Sequence, residues 1–182
     1  MCIRDRGGGL LTLVREDVPY REVTPVRASE GSALESLSVV VPVGDGDALT
    51  LVNVYCPPAR RGQGEDRVAG FDPASLPCHR GVLIGGDLNA HSPLWDPFQP
   101  GDALGEELEQ WLLDRGLMCL NDGSATHVNR GTGGDSAPDV TIVHGSRLAG
   151  CEWSVADRLG SCLLYTSPSP RDLSTSRMPS SA

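Results

Sequence analysis

The sequence predicts an α+β fold, with sheets packed on one another and helices outside. Three observations point there. Short β-prone runs recur between turns, in a chain with 22 glycines and 14 prolines. One stretch carries a clear helical period. Strands and helices follow no regular βαβ order, and no internal repeat is visible. At 182 residues the chain has room for one domain with a real core.

In chain order, "GGGLLTLVRED" (residues 7–17) predicts a strand after a glycine turn. "LESLSVVVPVG" holds a valine-rich run, Leu37 to Val41. "GDGDALTLVNVYCPP" gives a turn over residues 44–47 and a strand from Leu49 to Tyr55, which the Pro57-Pro58 pair stops. The turn between two β-prone runs predicts an antiparallel hairpin. Residues 59–80 are polar, with a short helix expected near Glu65 to Gly70. "GVLIGG" is a short apolar run of the kind buried on both faces. From Asp102, "DALGEELEQWLLDRG" places Leu104, Leu108, Trp111 and Leu112 on one helical face, with Asp102 as N-cap and Gly116 as C-cap. Strands are expected in "LMCLND", in "APDVTIVHG" with Asp139 near its start, and in "CEWSVAD".

Composition limits the function. No segment is apolar enough for a membrane span, and no signal-peptide pattern opens the chain. All 15 basic residues are arginine, and the net charge is −9. An acidic balance argues against broad nucleic-acid binding and leaves only local basic contacts. Cys56, Cys78, Cys119 and Cys151 are far apart with no C-x-x-C, which predicts free thiols rather than a zinc site.

The two ends differ from the middle. Met1 to Asp5 can be coded ATG TGT ATA AGA GAC, followed by A. The reverse complement of that string codes Cys-Leu-Leu-Tyr-Thr and opens a serine codon, as in Cys162 to Ser167. Residues 1–6 and 162–182 are therefore expected to derive from a sequencing adaptor, the latter as a disordered tail, with the natural domain at 7–161.

The chemistry gathers after "VLIGGD". If the extension persists past the glycines, Asp87, Asn89 and His91 point to one side. A carboxylate and an amide so placed can hold a hard cation or orient a water. Equally, they can shape a strand-end turn. Trp95 and Trp111 are expected in the core. His79, His127 and His144 are expected in turns or at strand ends.

"LVNVYCPP", "GVLIGGDLNAHSPLWDP", "CLNDGSATHV" and "APDVTIVHGS" occur in the order found in the endonuclease/exonuclease/phosphatase superfamily. The chain resembles the apurinic-endonuclease-like endonuclease domain of non-LTR retrotransposons. The resemblance implies a four-layer α/β sandwich: two mostly antiparallel sheets with outer helices, incomplete here at both ends. It implies Mg²⁺-dependent (or Mn²⁺-dependent) hydrolysis of a DNA phosphodiester, nicking target DNA. Asp87 would orient or deprotonate the attacking water. Asn89 would help place that water and bind phosphate, and Tyr55 would hydrogen-bond the scissile phosphate. Asp139 would hold a distal histidine. Asp87 and Asn89 are the candidate metal ligands. His91, Ser92, Arg60 and Arg61 are candidate substrate contacts, the arginines being equally readable as a solvated loop. Implied partners are DNA and the rest of a retroelement polyprotein with a reverse transcriptase. A monomeric, intracellular domain acting in the nucleus, with no membrane association, is expected.

The family's metal-binding Asn and Glu would precede Gly7, and its closing Ser-Asp-His would begin at Ser161. The 182-residue chain is therefore expected to be inactive or nearly so. Two other readings stand beside this one: another phosphodiesterase or phosphatase of the superfamily, and a nonenzymatic retroelement remnant.

Overall fold

A six-stranded mixed sheet organises the computed structural model, which describes residues 10–23, 32–44, 46–58, 71–128 and 134–156. Its strands are β1 (Arg21–Val23), β2 (Glu35–Gly44), β3 (Asp47–Tyr55), β4 (Val82–Asp87), β5 (Leu117–Cys119) and β8 (Asp139–His144). Their spatial order is β1-β2-β3-β4-β8-β5. Only β3 and β4 run parallel; the other neighbours are antiparallel. A separate two-stranded ribbon pairs β6 (His127–Val128) with β7 (Asp135–Ser136). The predicted β2–β3 hairpin is present, and β3 stops at Tyr55, before the proline pair. The short helix expected near residues 65–70, Arg60 and Arg61, and residues 1–6 and 162–182 lie outside the described residues.

One helix, α1 (Ala103–Arg115), follows the predicted limits. Asp102 caps it by accepting from the Gly105 N–H at 2.7 Å. Gly116 ends it in the left-handed region at φ 63°. Leu104, Leu108, Trp111 and Leu112 are buried as their spacing predicts. They form one apolar cluster with Val52 and Val54 of β3, Val82 and Ile84 of β4, and Val140 and Ile142 of β8. Trp95, Leu88 and Ala90, from the loop after β4, complete it. The cluster follows strand alternation: from Thr50 to Tyr55 in β3 the even positions are buried and the odd positions are not.

The opposite face of the sheet is half-buried. Leu51, Asn53, Tyr55, Leu83, Asp87 and Thr141 lie on it. "GVLIGG" is thus buried on one face only. Two expected strands cross this face instead of joining it. Residues 10–15 make no strand ladder; the Asn53 side-chain amide donates to the Leu11 carbonyl at 3.1 Å. Residues 151–156 are likewise irregular, and Trp153 Nε1 donates to Thr141 Oγ1 at 3.0 Å. Leu11, Leu13 and Val155 stay exposed, and Leu11 and Leu13 alternate with half-buried neighbours. Apolar composition could not tell a paired strand from a segment laid across a sheet.

Candidate active site

Strand register aligns the predicted residues. Tyr55 of β3 is paired with Asp87 of β4, and Asp87 with Asp139 of β8. Directly paired residues point to the same face. Tyr55, Asp87 and Asp139 therefore form one row across three neighbouring strands, on the half-buried face. Glu35 of β2, paired with Tyr55, extends the row. An open cleft of about 360 Å³ lies here, lined by Leu10, Asn53, Val54, Tyr55, Gly86, Asp87 and Asp139.

Each member of the row is fixed from behind. Gly86 has φ 152°, and a Cβ there would stand 1.9 Å from the Val54 carbonyl oxygen. Only glycine lets β4 come this close to β3. Asp87 Oδ1 accepts from the Asn89 N–H at 2.9 Å, and the Asp87 carbonyl accepts from the Cys56 N–H at 2.9 Å. Asn89 Nδ2 donates to the Cys56 carbonyl at 2.9 Å. The exits of β3 and β4 are thereby tied together. Asn121 does the same for Asp139. Its Nδ2 donates to the Asp139 carbonyl at 2.8 Å, and its Oδ1 accepts from the Thr141 N–H at 2.9 Å. Nothing in the spacing of "CLND" singled out Asn121 for this task.

The expected alternation from Asp87 through Asn89 to His91 does not hold. The strand ends at Asp87, and Asn89 turns into the left-handed region at φ 47°. Asparagine tolerates that region because its short side chain can bond locally, here to the Cys56 carbonyl. Asn89 is thus a brace in this structure. Ser92 is also displaced from its expected role. It is buried, its hydroxyl donates to Glu109, and it accepts from the Leu94 N–H at 3.1 Å. A side chain so engaged serves the loop rather than a substrate.

The electrostatics suit a phosphate held by a donor and a cation. Burial raises the pKa of the Tyr55 phenol, and the negative charges of Asp87 and Glu35 push it further. The phenol keeps its proton and acts as a donor. Asp87 opposite Asp139 is a cross-strand pair of carboxylates, and like charges directly opposite are a destabilising arrangement. Hard divalent cations are commonly held by one or two carboxylates together with substrate phosphate. The donor set fits that mode. Among the described residues no group of three or more His, Cys, Asp or Glu gathers to hold a metal by itself.

Comparison with known proteins places this geometry in a lineage. The model of the family described as endonuclease-reverse transcriptase matches residues 49–161. The chain belongs to that family. The matched stretch contains all three members of the Tyr55–Asp87–Asp139 row and the brace Asn89. Over 90 residues the chain is 37% identical to the retrovirus-related Pol polyprotein from type-1 retrotransposable element R1 of Bradysia coprophila. That match takes in 43% of this chain and 9% of the polyprotein. Among solved structures, the endonuclease domain of TRAS1, a telomere-specific non-LTR retrotransposon, superimposes with a TM-score of 0.60 at 21% identity. The superposition covers 82% of this chain and 68% of that one. It shows the fold: the six-stranded mixed sheet with few helices matches the α/β fold of that endonuclease domain.

Proposed function

We propose that this domain hydrolyses a phosphodiester of DNA with a divalent cation, nicking one strand as part of a retroelement polyprotein. The observation that carries the reading is the single row of Tyr55, Asp87 and Asp139 at an open cleft. Asp87 accepts a proton from an attacking water in this reading, which the Asn89 N–H bond to its carboxylate supports. Tyr55 donates its hydroxyl to a non-bridging phosphate oxygen. Asn89 holds the Asp87 loop against the end of β3. Asp139 adds a second carboxylate beside Asp87. Asp87 and Asp139 would hold Mg²⁺ or Mn²⁺, which when bound supplies positive charge against the phosphate oxygens. The domain acts as a monomer, inside the cell and at nuclear DNA.

The test is conversion of supercoiled plasmid to nicked circle by the domain within its complete reading frame, with and without Mg²⁺. Nicking that needs the cation, and that falls about 100- to 10,000-fold in Asp87→Ala, supports the reading. Nicking unaffected by Asp87→Ala would move the chemistry elsewhere. Release of inorganic phosphate from a small phosphomonoester, without plasmid nicking, would favour a phosphatase.

A further inference from the structure

The Tyr55–Asp87–Asp139 row has a fourth member that the reaction above does not use. Glu35 opens β2 and is paired directly with Tyr55. Paired residues share a face, so Glu35 lies beside the phenol on the half-buried face, on the side away from Asp87. Its negative charge reaches the Tyr55 hydroxyl, as that of Asp87 does. No cation answers that charge: among the described residues the ion pairs are Arg15 with Asp17 and His91 with Asp96.

Glu35 is also set apart from the carboxylates proposed to hold a metal. Neighbouring strands lie about 4.8 Å apart, so two strand steps put its backbone about 10 Å from that of Asp87. Among the described residues, no three such groups gather to hold one ion. A divalent cation at Asp87 and Asp139 would offset their two charges and leave the charge of Glu35 over. A phosphate at Tyr55 would then meet a neutral donor with an uncompensated carboxylate beside it. Among the described residues, no arginine lines the cleft to outweigh that carboxylate.

A DNA phosphodiester carries one negative charge. A phosphomonoester, such as a phosphorylated strand end, carries nearly two above its second pKa of about 6. Repulsion from Glu35 therefore acts about twice as strongly on the monoester. At a separation of about 6 Å, one extra unit charge costs a factor of about 3 in bulk water, and more at the lower effective dielectric of a cleft.

We propose that Glu35 is a specificity-determining residue of the cleft: its charge repels the dianionic phosphate of a phosphomonoester and leaves the monoanionic phosphodiester as the preferred substrate. The inference rests on the phosphodiester reading above and adds to it the residue that separates the two classes of ester.

The test compares two reactions of the domain within its complete reading frame: nicking of a DNA duplex, and release of phosphate from the 3′ end of the same duplex. Glu35→Gln removes the charge and keeps the shape. It is expected to raise the monoester-to-diester ratio of kcat/KM about three- to tenfold. Glu35→Asp, which keeps the charge, is expected to leave the ratio near that of the unmodified protein. A damaged fold lowers both reactions together and does not raise the ratio. In the unmodified protein, the ratio is also expected to rise as ionic strength goes from about 0.01 M to about 1 M, since the screening length falls from about 30 Å to about 3 Å. A ratio unchanged in Glu35→Gln, raised equally in Glu35→Asp, or indifferent to salt in the unmodified protein overturns the proposal, while nicking by the unmodified protein keeps the DNA reading. Absence of nicking by the unmodified protein overturns the DNA reading, and this inference with it.

Discussion

At Tyr55, burial and two nearby carboxylates act in the same direction, raising the phenol's pKa. The folded pKa then exceeds the unfolded value of about 10. The linked stability is fully present below the unfolded value and is lost as pH rises through the folded one. Spectrophotometric titration should show one phenol ionising late, and Tyr55→Phe should remove that step. One strand over, Asp87 faces Asp139 across the ladder. Asp139→Asn is expected to stabilise the cation-free fold by a few tenths of a kcal/mol while lowering nicking, as strained functional sites do. Urea unfolding beside a nicking assay checks both signs. Asp139→Asn that destabilised the fold would contradict the like-charge account.

Among the elements, α1 fastens the loop after β4 as well as covering the sheet. Asp102 serves both the helix cap and the His91 backbone. Asp102→Ala is expected to cost about 1–2 kcal/mol in urea unfolding, the upper part of the cap range. Leu108→Ala, emptying a site 1% exposed, is expected to cost about 2–5 kcal/mol. A smaller loss for Asp102→Ala than for an ordinary surface substitution would deny the double role. This helix was fully legible in the sequence, because a period, a cap and a terminal glycine all coincide there. The β2–β3 hairpin was legible for similar reasons. Residues 10–15 and 151–156 were not, because apolar composition says nothing of hydrogen-bond partners. Asp87, Tyr55 and Asp139 were named from motif order, and strand register aligns them. Asn121 was not, since its work depends on a contact 18 residues away along the chain.

Over the whole molecule, the central strands and the crossing segments differ in protection. Amide exchange is expected to be slowest in β3, β4 and β8 and fast in residues 10–15 and 151–156, which lack ladder bonds. Equal protection across these regions would argue for further pairing of the crossing segments. The net charge of −9 bears on the proposed DNA binding. The logarithm of affinity is expected to fall with the logarithm of salt at a slope shallower than about −3, against about −10 for strongly basic binders. The aligned row of Tyr55, Asp87 and Asp139 has a genetic consequence. Strand side chains alternate with a period of two, so one codon inserted within β4 would turn every later side chain of that strand to the other face. Asp87 would leave the cleft although no amino acid in the row had been substituted. For lineages of this domain, in-frame single-codon indels in β3 or β4 should therefore be lethal lesions for the nuclease, while point changes on the same strands are often survivable.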